Sequence, residues 1–164
     1  MKKMSKYIFA LILLAPMMFA QILFAQAVVA KEIAVLLPLS GPLTPFEKTE
    51  LTKQVVDGLS VKFDLKHGEE VDLVVKQAFQ EESKKKDCDE TNCYRRIAAQ
   101  YRAEKIVAIR VVQANKENYL VTINVYNVLT NEMSVSQKKE CIQCSFEKLK
   151  ALFNDLTTKV SKEK

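Results

Sequence analysis

From residue 30 onward, short continuous apolar runs alternate with stretches in which apolar residues recur every three or four positions. Ile33–Leu37 is apolar throughout and stops at Pro38, the pattern of a buried strand. The following Pro38–Leu43 (PLSGPL) has turn chemistry along its length. Thr44-Pro45-Phe46-Glu47 then reads as a helix start, with Thr44 as N-cap, Pro45 at the first helical position and Glu47 closing a capping box. Leu51, Val55, Val56 and Leu59 supply that helix's buried stripe, and His67-Gly68 reads as its end. Val71–Lys76 is read as a second strand, and a lysine-rich connection, Gln80–Asp87, follows it.

Tyr94, Ile97, Ala98 and Tyr101 fall at i, i+3, i+4 and i+7 and predict a second helix. Lys105–Val112 (KIVAIRVV) and Tyr119–Val128 (YLVTINVYNV) predict a hairpin around Gln113–Asn118, and a more polar strand follows near Met133–Lys139. Leu149, Leu152, Phe153, Leu156 and Val160 mark a last helix. The predicted order is β-α-β-α-β-β-β-α: an α/β domain with a mixed five-stranded sheet and three helices packed on it. The first two crossovers give parallel neighbours, and the last three strands form an antiparallel meander.

Residues 1–30 have the tripartite form of an export signal. Lys2, Lys3 and Lys6 precede an apolar stretch from Tyr7 to Phe24, and small residues then offer cleavage after Ala27 or Ala30. An uncleaved anchor is the alternative, since the stretch approaches membrane-spanning length; Pro16, Gln21 and the small residues favour cleavage. No cysteine stands near the end of this segment to take a lipid. Cleavage after Ala30 takes 30 of 164 residues and leaves 134, a single domain over 31–160 with a frayed tail at 161–164. The formal charge of +5 falls to +2 once the three lysines are gone, so the basic balance gives no case for nucleic acid.

Export changes how the cysteines are read. There are four, in two short pairs, Cys88–Cys93 (CDETNC) and Cys141–Cys144 (CIQC). An oxidising compartment favours two local disulfides that fix the starts of the helices behind them. Cross-pairing between the clusters, a four-thiolate zinc site and redox catalysis by Cys141 and Cys144 are the alternatives. Other chemistry is sparse. His67 is the only histidine and sits in a turn, and Asp87, Asp89 and Glu90 suit helix capping. Tyr94 and Tyr101 suit the core, and no Ser/His/Asp set, paired-carboxylate site or phosphate-binding glycine loop appears. A non-enzyme without cofactor or metal is expected.

With strands one, two, three and five running one way, several loops gather on one rim: Pro38–Leu43, the Gln80–Asn92 connection, the hairpin tip and CIQC. All three predicted helices begin there. Ser40, Gly41, Lys84, Lys85, Lys86 and Lys116 are the candidate binding residues of that rim, suited to an anion or an acidic partner.

The opening Ile33-Ala34-Val35-Leu36-Leu37-Pro38-Leu39-Ser40 resembles the start of a group of bacterial envelope domains. These are the TolB amino-terminal domain, the CsgG type of curli secretion and the LpoB type of penicillin-binding-protein activator. The helix end at Ala98–Ala103, Lys105–Val112, the hairpin, Tyr119–Val128 and Thr130-Asn131 also resemble that group's pattern, in which a helix ends at Leu-Gly-Ala and a strand closes with Asp-x-x-Thr-Gly. Here Ala103-Glu104 stands in place of Gly-Ala, and Asn127 and Asn131 in place of the Asp and the last Gly. Some stand-alone exported members carry similar cysteine pairs. The resemblance implies a periplasmic, non-enzymatic α/β domain that binds an envelope or membrane-associated protein, and it carries over no catalytic residue. The alternatives are thiol–disulfide exchange at CIQC and small-anion binding at the rim.

Overall fold

The computed structural model describes residues 30–85 and 89–163. The predicted signal segment, Lys86, Asp87, Cys88 and Lys164 lie outside the described residues, save for Ala30 at the end of the signal.

β1 (Glu32–Leu36) opens on exposed Glu32 and is apolar from Ile33 because both its faces become buried: Ala34 and Leu36 point into one core, and Val35, with Leu37 just beyond the strand, into the other. Beyond β1 the chain follows β3 (Lys105–Asn115) before α1 (Pro45–Leu59) begins. The capping box read from the sequence is formed: Thr44 N–H donates to Glu47 Oε2 at 2.8 Å, and Glu47 N–H donates to Thr44 Oγ1 at 3.3 Å. α1 ends at Leu59, earlier than His67-Gly68. β2 (Phe63–Lys66) follows, and then α2 (Glu69–Glu82) where the sequence reading had its second strand at Val71–Lys76.

This correction has a physical cause. Val71, Val75 and Ala78 lie at helical spacing and are buried together, while Glu69, Glu70 and Asp72 stand in the first turn, where the helix dipole favours acids. Gly68 opens this helix rather than closing the previous one, in a backbone conformation at φ 99° that suits glycine. The true β2 has only four residues, with Phe63 buried and Leu65 half-buried on one side. The described residues therefore form four helices rather than three, within the same α/β class.

α3 (Glu90–Tyr101), capped by the Asp89 side chain on the Thr91 N–H at 2.9 Å, precedes β3. β4 (Asn118–Asn127), β5 (Glu132–Cys141) and α4 (Phe146–Lys162) complete the chain. The sheet order is β2-β1-β3-β4-β5, with β1 parallel to β2 and β3, and β3-β4-β5 antiparallel. α1 and α4 cover one face, where Leu51, Val55, Phe153 and Leu156 pack with Ile109, Val111, Val121 and Ile123. Gly58 permits their close approach, since a Cβ there would meet Thr157 Oγ1 at 2.7 Å. α2 and α3 lie on the other face, where Val71, Val75, Ile97 and Ala98 pack on Val35 and Ile106.

Candidate functional site: the apex of the first face

The loop after β1 is tied to β3 rather than held open. Leu37 N–H donates to the Val107 carbonyl at 2.9 Å, Ser40 N–H to Ile109 at 3.2 Å, and Val111 N–H to Ser40 at 2.8 Å. Ser40 Oγ also donates to the Ile109 carbonyl, at 3.1 Å. Gly41, at φ 140°, lies so close to β3 that a Cβ would stand 2.3 Å from the Val111 carbonyl oxygen. Ser40 and Gly41 thus fasten the strap that delivers Thr44 and the start of α1.

β5 delivers the second part. Cys141 is buried at its end, and Cys141 and Cys144 form a disulfide with 5.3 Å between their Cα atoms. Of the pairings left open by the sequence, this chain carries the local one at CIQC. Pairing of these two with the other cluster, or their use as zinc thiolates, is excluded in this oxidised form. The closed loop is then fixed to the β3–β4 turn. Cys144 N–H donates to the Glu117 carbonyl at 2.6 Å, and Gln143 N–H to Asn118 Oδ1 at 3.0 Å. The turn itself is held by Asn115 Oδ1, which accepts from the amides of Glu117 and Asn118 at 3.1 and 3.0 Å. Lys116 sits in this turn, where its carbonyl accepts from Gln113 Nε2 at 3.3 Å.

Immediately after the disulfide, Ser145 caps α4 by accepting the Lys148 N–H at 3.3 Å. The starts of α1 and α4 meet through Phe46 and Phe146, whose ring centroids are 6.2 Å apart. Phe46 is 68% exposed and Ile142, in the disulfide loop, 66% exposed. Phe146 and Leu43 are half-buried against the core beneath. Lys148 donates to the Gln143 carbonyl at 3.0 Å, while Lys150 lies 5.7 Å over the Phe146 ring and 3.3 Å from Glu147. The apex therefore presents two exposed apolar side chains, Phe46 and Ile142, on a base tied by the disulfide, two helix caps and the β3–β4 turn, with Glu147, Lys148 and Lys150 at its margin.

Of the other predicted rim residues, Lys86 lies outside the described ones. Lys84 and Lys85 belong to the α2–α3 connection, and no hydrogen bond or ion pair among the described residues joins them to the apex. Lys85 instead binds the buried Glu82 carboxylate at 2.5 Å. That bond, with further ones from the Asp89 backbone and the Asn92 side chain, holds Glu82 below the usual carboxylate range. Cys93 is buried in the first turns of α3, its Sγ 3.7 Å from the Ala78 carbonyl oxygen, and so lies in the second-face layer. Tyr94 and Tyr101 border the second core as expected. Burial and a hydrogen bond to Glu90 push the Tyr94 hydroxyl far above its ordinary value.

The sequence reading missed Phe46 and Phe146. Its one available signal was repetition: both helices open with a cap residue and then Phe-Glu (TPFE and SFE), and Phe46 stands off the buried stripe of α1.

A notch of about 90 Å³ between α2 and α3, lined by Val74, Gln77, Ala78, Arg96, Ile97 and Gln100, is too small for a substrate-sized ligand. Among the described residues no cluster of His, Cys, Asp and Glu has the grouping of a metal site, and no helix is long and apolar enough to cross a membrane.

No protein-family model matches the chain, and no curated protein does. Solved structures do. The hypothetical protein CT253 from Chlamydia trachomatis aligns with a TM-score of 0.52 and 15% identity, over 80% of this chain and 96% of that one. The LpoB C-terminal domain from Salmonella enterica aligns at 18% identity and a TM-score of 0.47, over 75% and 91% of the two chains. TolB from Acinetobacter baumannii aligns at 11% identity and a TM-score of 0.45, over 80% of this chain and 28% of its own. LpoB and TolB are two of the types that the sequence resembles, and the likeness to CT253 is one of fold.

Proposed function

We propose that this chain is an exported, non-enzymatic domain of the bacterial envelope that binds another envelope protein, as an adaptor or assembly factor. It reaches the periplasm after cleavage behind Ala27 or Ala30. The observation that carries this reading is the apex: Phe46 and Ile142 stand in solvent on a base fixed by a disulfide, two helix caps and a hydrogen-bonded turn. Large apolar side chains on a rigid, raised surface are what protein interfaces use as anchors, because little conformational entropy is lost when they are covered.

A photoreactive residue at Phe46 or at Ile142, in chain expressed in its native envelope, tests the reading. Both positions are expected to crosslink to the same envelope protein, and Phe46→Ser combined with Ile142→Ser to abolish its co-purification. Equal co-purification of that double variant would refute the apex as the docking site.

Thiol–disulfide exchange is the second reading, favoured by one observation: half-exposed Cys144 directly precedes the N-cap of α4, where a thiolate is stabilised. Cys141→Ser/Cys144→Ser separates the two. Exchange loses all activity in that variant, whereas an adaptor retains its partner with weakened affinity.

A further inference from the structure

β5 ends at Cys141 and α4 is capped by Ser145, so residues 142–144 belong to no helix or strand, and the disulfide closes around them. Ile142 stands in solvent and joins neither core, so the backbone on either side sets its direction. That backbone is held at an unfavourable point. Gln143 takes φ 47°, in the left-handed region that is costly for a residue other than glycine or asparagine. Against that cost stand three hydrogen bonds. Gln143 N–H donates to Asn118 Oδ1 at 3.0 Å, Cys144 N–H to the Glu117 carbonyl at 2.6 Å, and Lys148 Nζ to the Gln143 carbonyl at 3.0 Å. Each is exchanged for a bond to water when the loop opens, so its net worth is small. The covalent link therefore decides whether the loop stays closed. Without it, the strain at Gln143 and the freed backbone of residues 142–144 both favour opening.

The two sulfurs differ in access. Cys141 is buried against the first core, opposite Tyr119 of β4, whereas Cys144 is half-exposed and directly precedes the cap of α4. An incoming thiolate therefore reaches Cys144 Sγ. Its attack forms a mixed disulfide with Cys144 and breaks the bond to Cys141, which leaves as a thiolate and takes up a proton. The second thiol of the reductant then displaces Cys144, whose thiolate the helix N-terminus favours until it too is protonated. Two electrons and two protons pass from a dithiol to the Cys141–Cys144 bond, and the dithiol leaves as a disulfide.

We propose that the Cys141–Cys144 disulfide is a redox switch for docking at the apex. Closed, it presents Ile142 together with Phe46 to the partner protein; opened by a protein dithiol of the envelope, it lets residues 142–144 loosen and the partner leave. Cys141 keeps its place in β5 throughout, so the change stays local. The proposal rests on the apex as the docking site and adds its control.

The full chain with a photoreactive residue at Phe46, outside the loop, tests it in its native envelope under diamide or dithiothreitol. The oxidised chain should crosslink an envelope protein, and dithiothreitol should cut the yield at least about tenfold, the loss expected when an anchor residue is withdrawn. Diamide added after the reductant is removed should restore it. Cys141→Ser/Cys144→Ser should crosslink at the reduced level and ignore dithiothreitol, which assigns the response to this pair rather than to the partner or the other cysteines. Hydrogen exchange of the chain alone should show the Gln143 and Cys144 amides losing protection on reduction while Val121 and Val135 keep theirs. The switch is overturned, with the docking site left standing, by equal yields from oxidised and reduced chain or by full yield from the double variant. A double variant that still responds to dithiothreitol, or unchanged protection at Gln143 and Cys144, overturns it as well. No crosslink from the oxidised chain overturns the docking site and the switch together.

Discussion

On the first face, α1 and α4 extend over the sheet as far as β5 and their N-termini meet at a braced apex; on the second, α2 and α3 leave much of β4 and β5 open. The first face carries the larger core, with Phe153, Leu51, Leu59 and Leu156 fully buried. The difference separates two jobs. One face supplies stability and a rigid platform, and the other supplies surface.

Phe153→Ala, at the centre of the first face, should cost about 3–5 kcal/mol of unfolding free energy, enough to unfold a marginal domain. Ile97→Ala, its counterpart under α2 and α3, should cost about 2–5 kcal/mol, and toward the low end, because the cavity borders a surface notch that can collapse. Denaturant melts of both variants check the ranking. An Ile97 variant costing more than the Phe153 variant would break the comparison.

The two faces also differed in how legible they were in the sequence. On the first, the cues for the helix starts and the buried stripes agreed, though not the end of α1: the Thr44–Glu47 capping box, Pro45 at the first helical position, and the stripe through Leu149, Leu152, Phe153, Leu156 and Val160. On the second, the cues conflicted. Val71-Asp72-Leu73-Val74-Val75 satisfies a strand pattern as well as a helical one, and Gly68 can close a helix as readily as open one. β2 escaped notice because four residues with one fully buried side chain carry almost no periodic signal. Of the site, the disulfide and the hairpin turn were readable as local features. The meeting of Phe46 with Phe146 was not, since it joins residues 100 positions apart through the packing of two helices.

Two glycines sharpen the contrast. Gly58→Ala pushes a methyl group into Thr157 between α1 and α4 and should cost about 1–3 kcal/mol. Gly68→Ala meets nothing in space but forces a side chain onto φ 99° at the start of α2, and should cost about 1 kcal/mol. Thermal unfolding of the two single variants reads both.

Cys141→Ser/Cys144→Ser should lower stability by about 2 kcal/mol in the chain-entropy account of so short a loop. Its larger effect is local: the amides of Gln143 and Cys144, bonded to Asn118 and Glu117, should lose hydrogen-exchange protection ahead of the sheet.

The smallest expected effect is with pH. Glu82 on the second face is lowered by its bond from Lys85, and Asp155 beside the first face by bonds from Lys139 and Lys159. Groups whose folded values are depressed stabilise the fold above their ordinary range, and that contribution is lost as pH falls through the depressed value. Lys85→Met should therefore shift the acid limb of an unfolding profile to higher pH, and an unchanged limb would deny Lys85 its role.

Hydrogen–deuterium exchange of the oxidised domain, alone and with the envelope protein captured from the Ile142 position, is the most direct measurement of the central claim. New protection should concentrate at the start of α1, the β3–β4 turn, the CIQC loop and the first turn of α4. Protection confined to the opposite end of the sheet, or none at all, would contradict it.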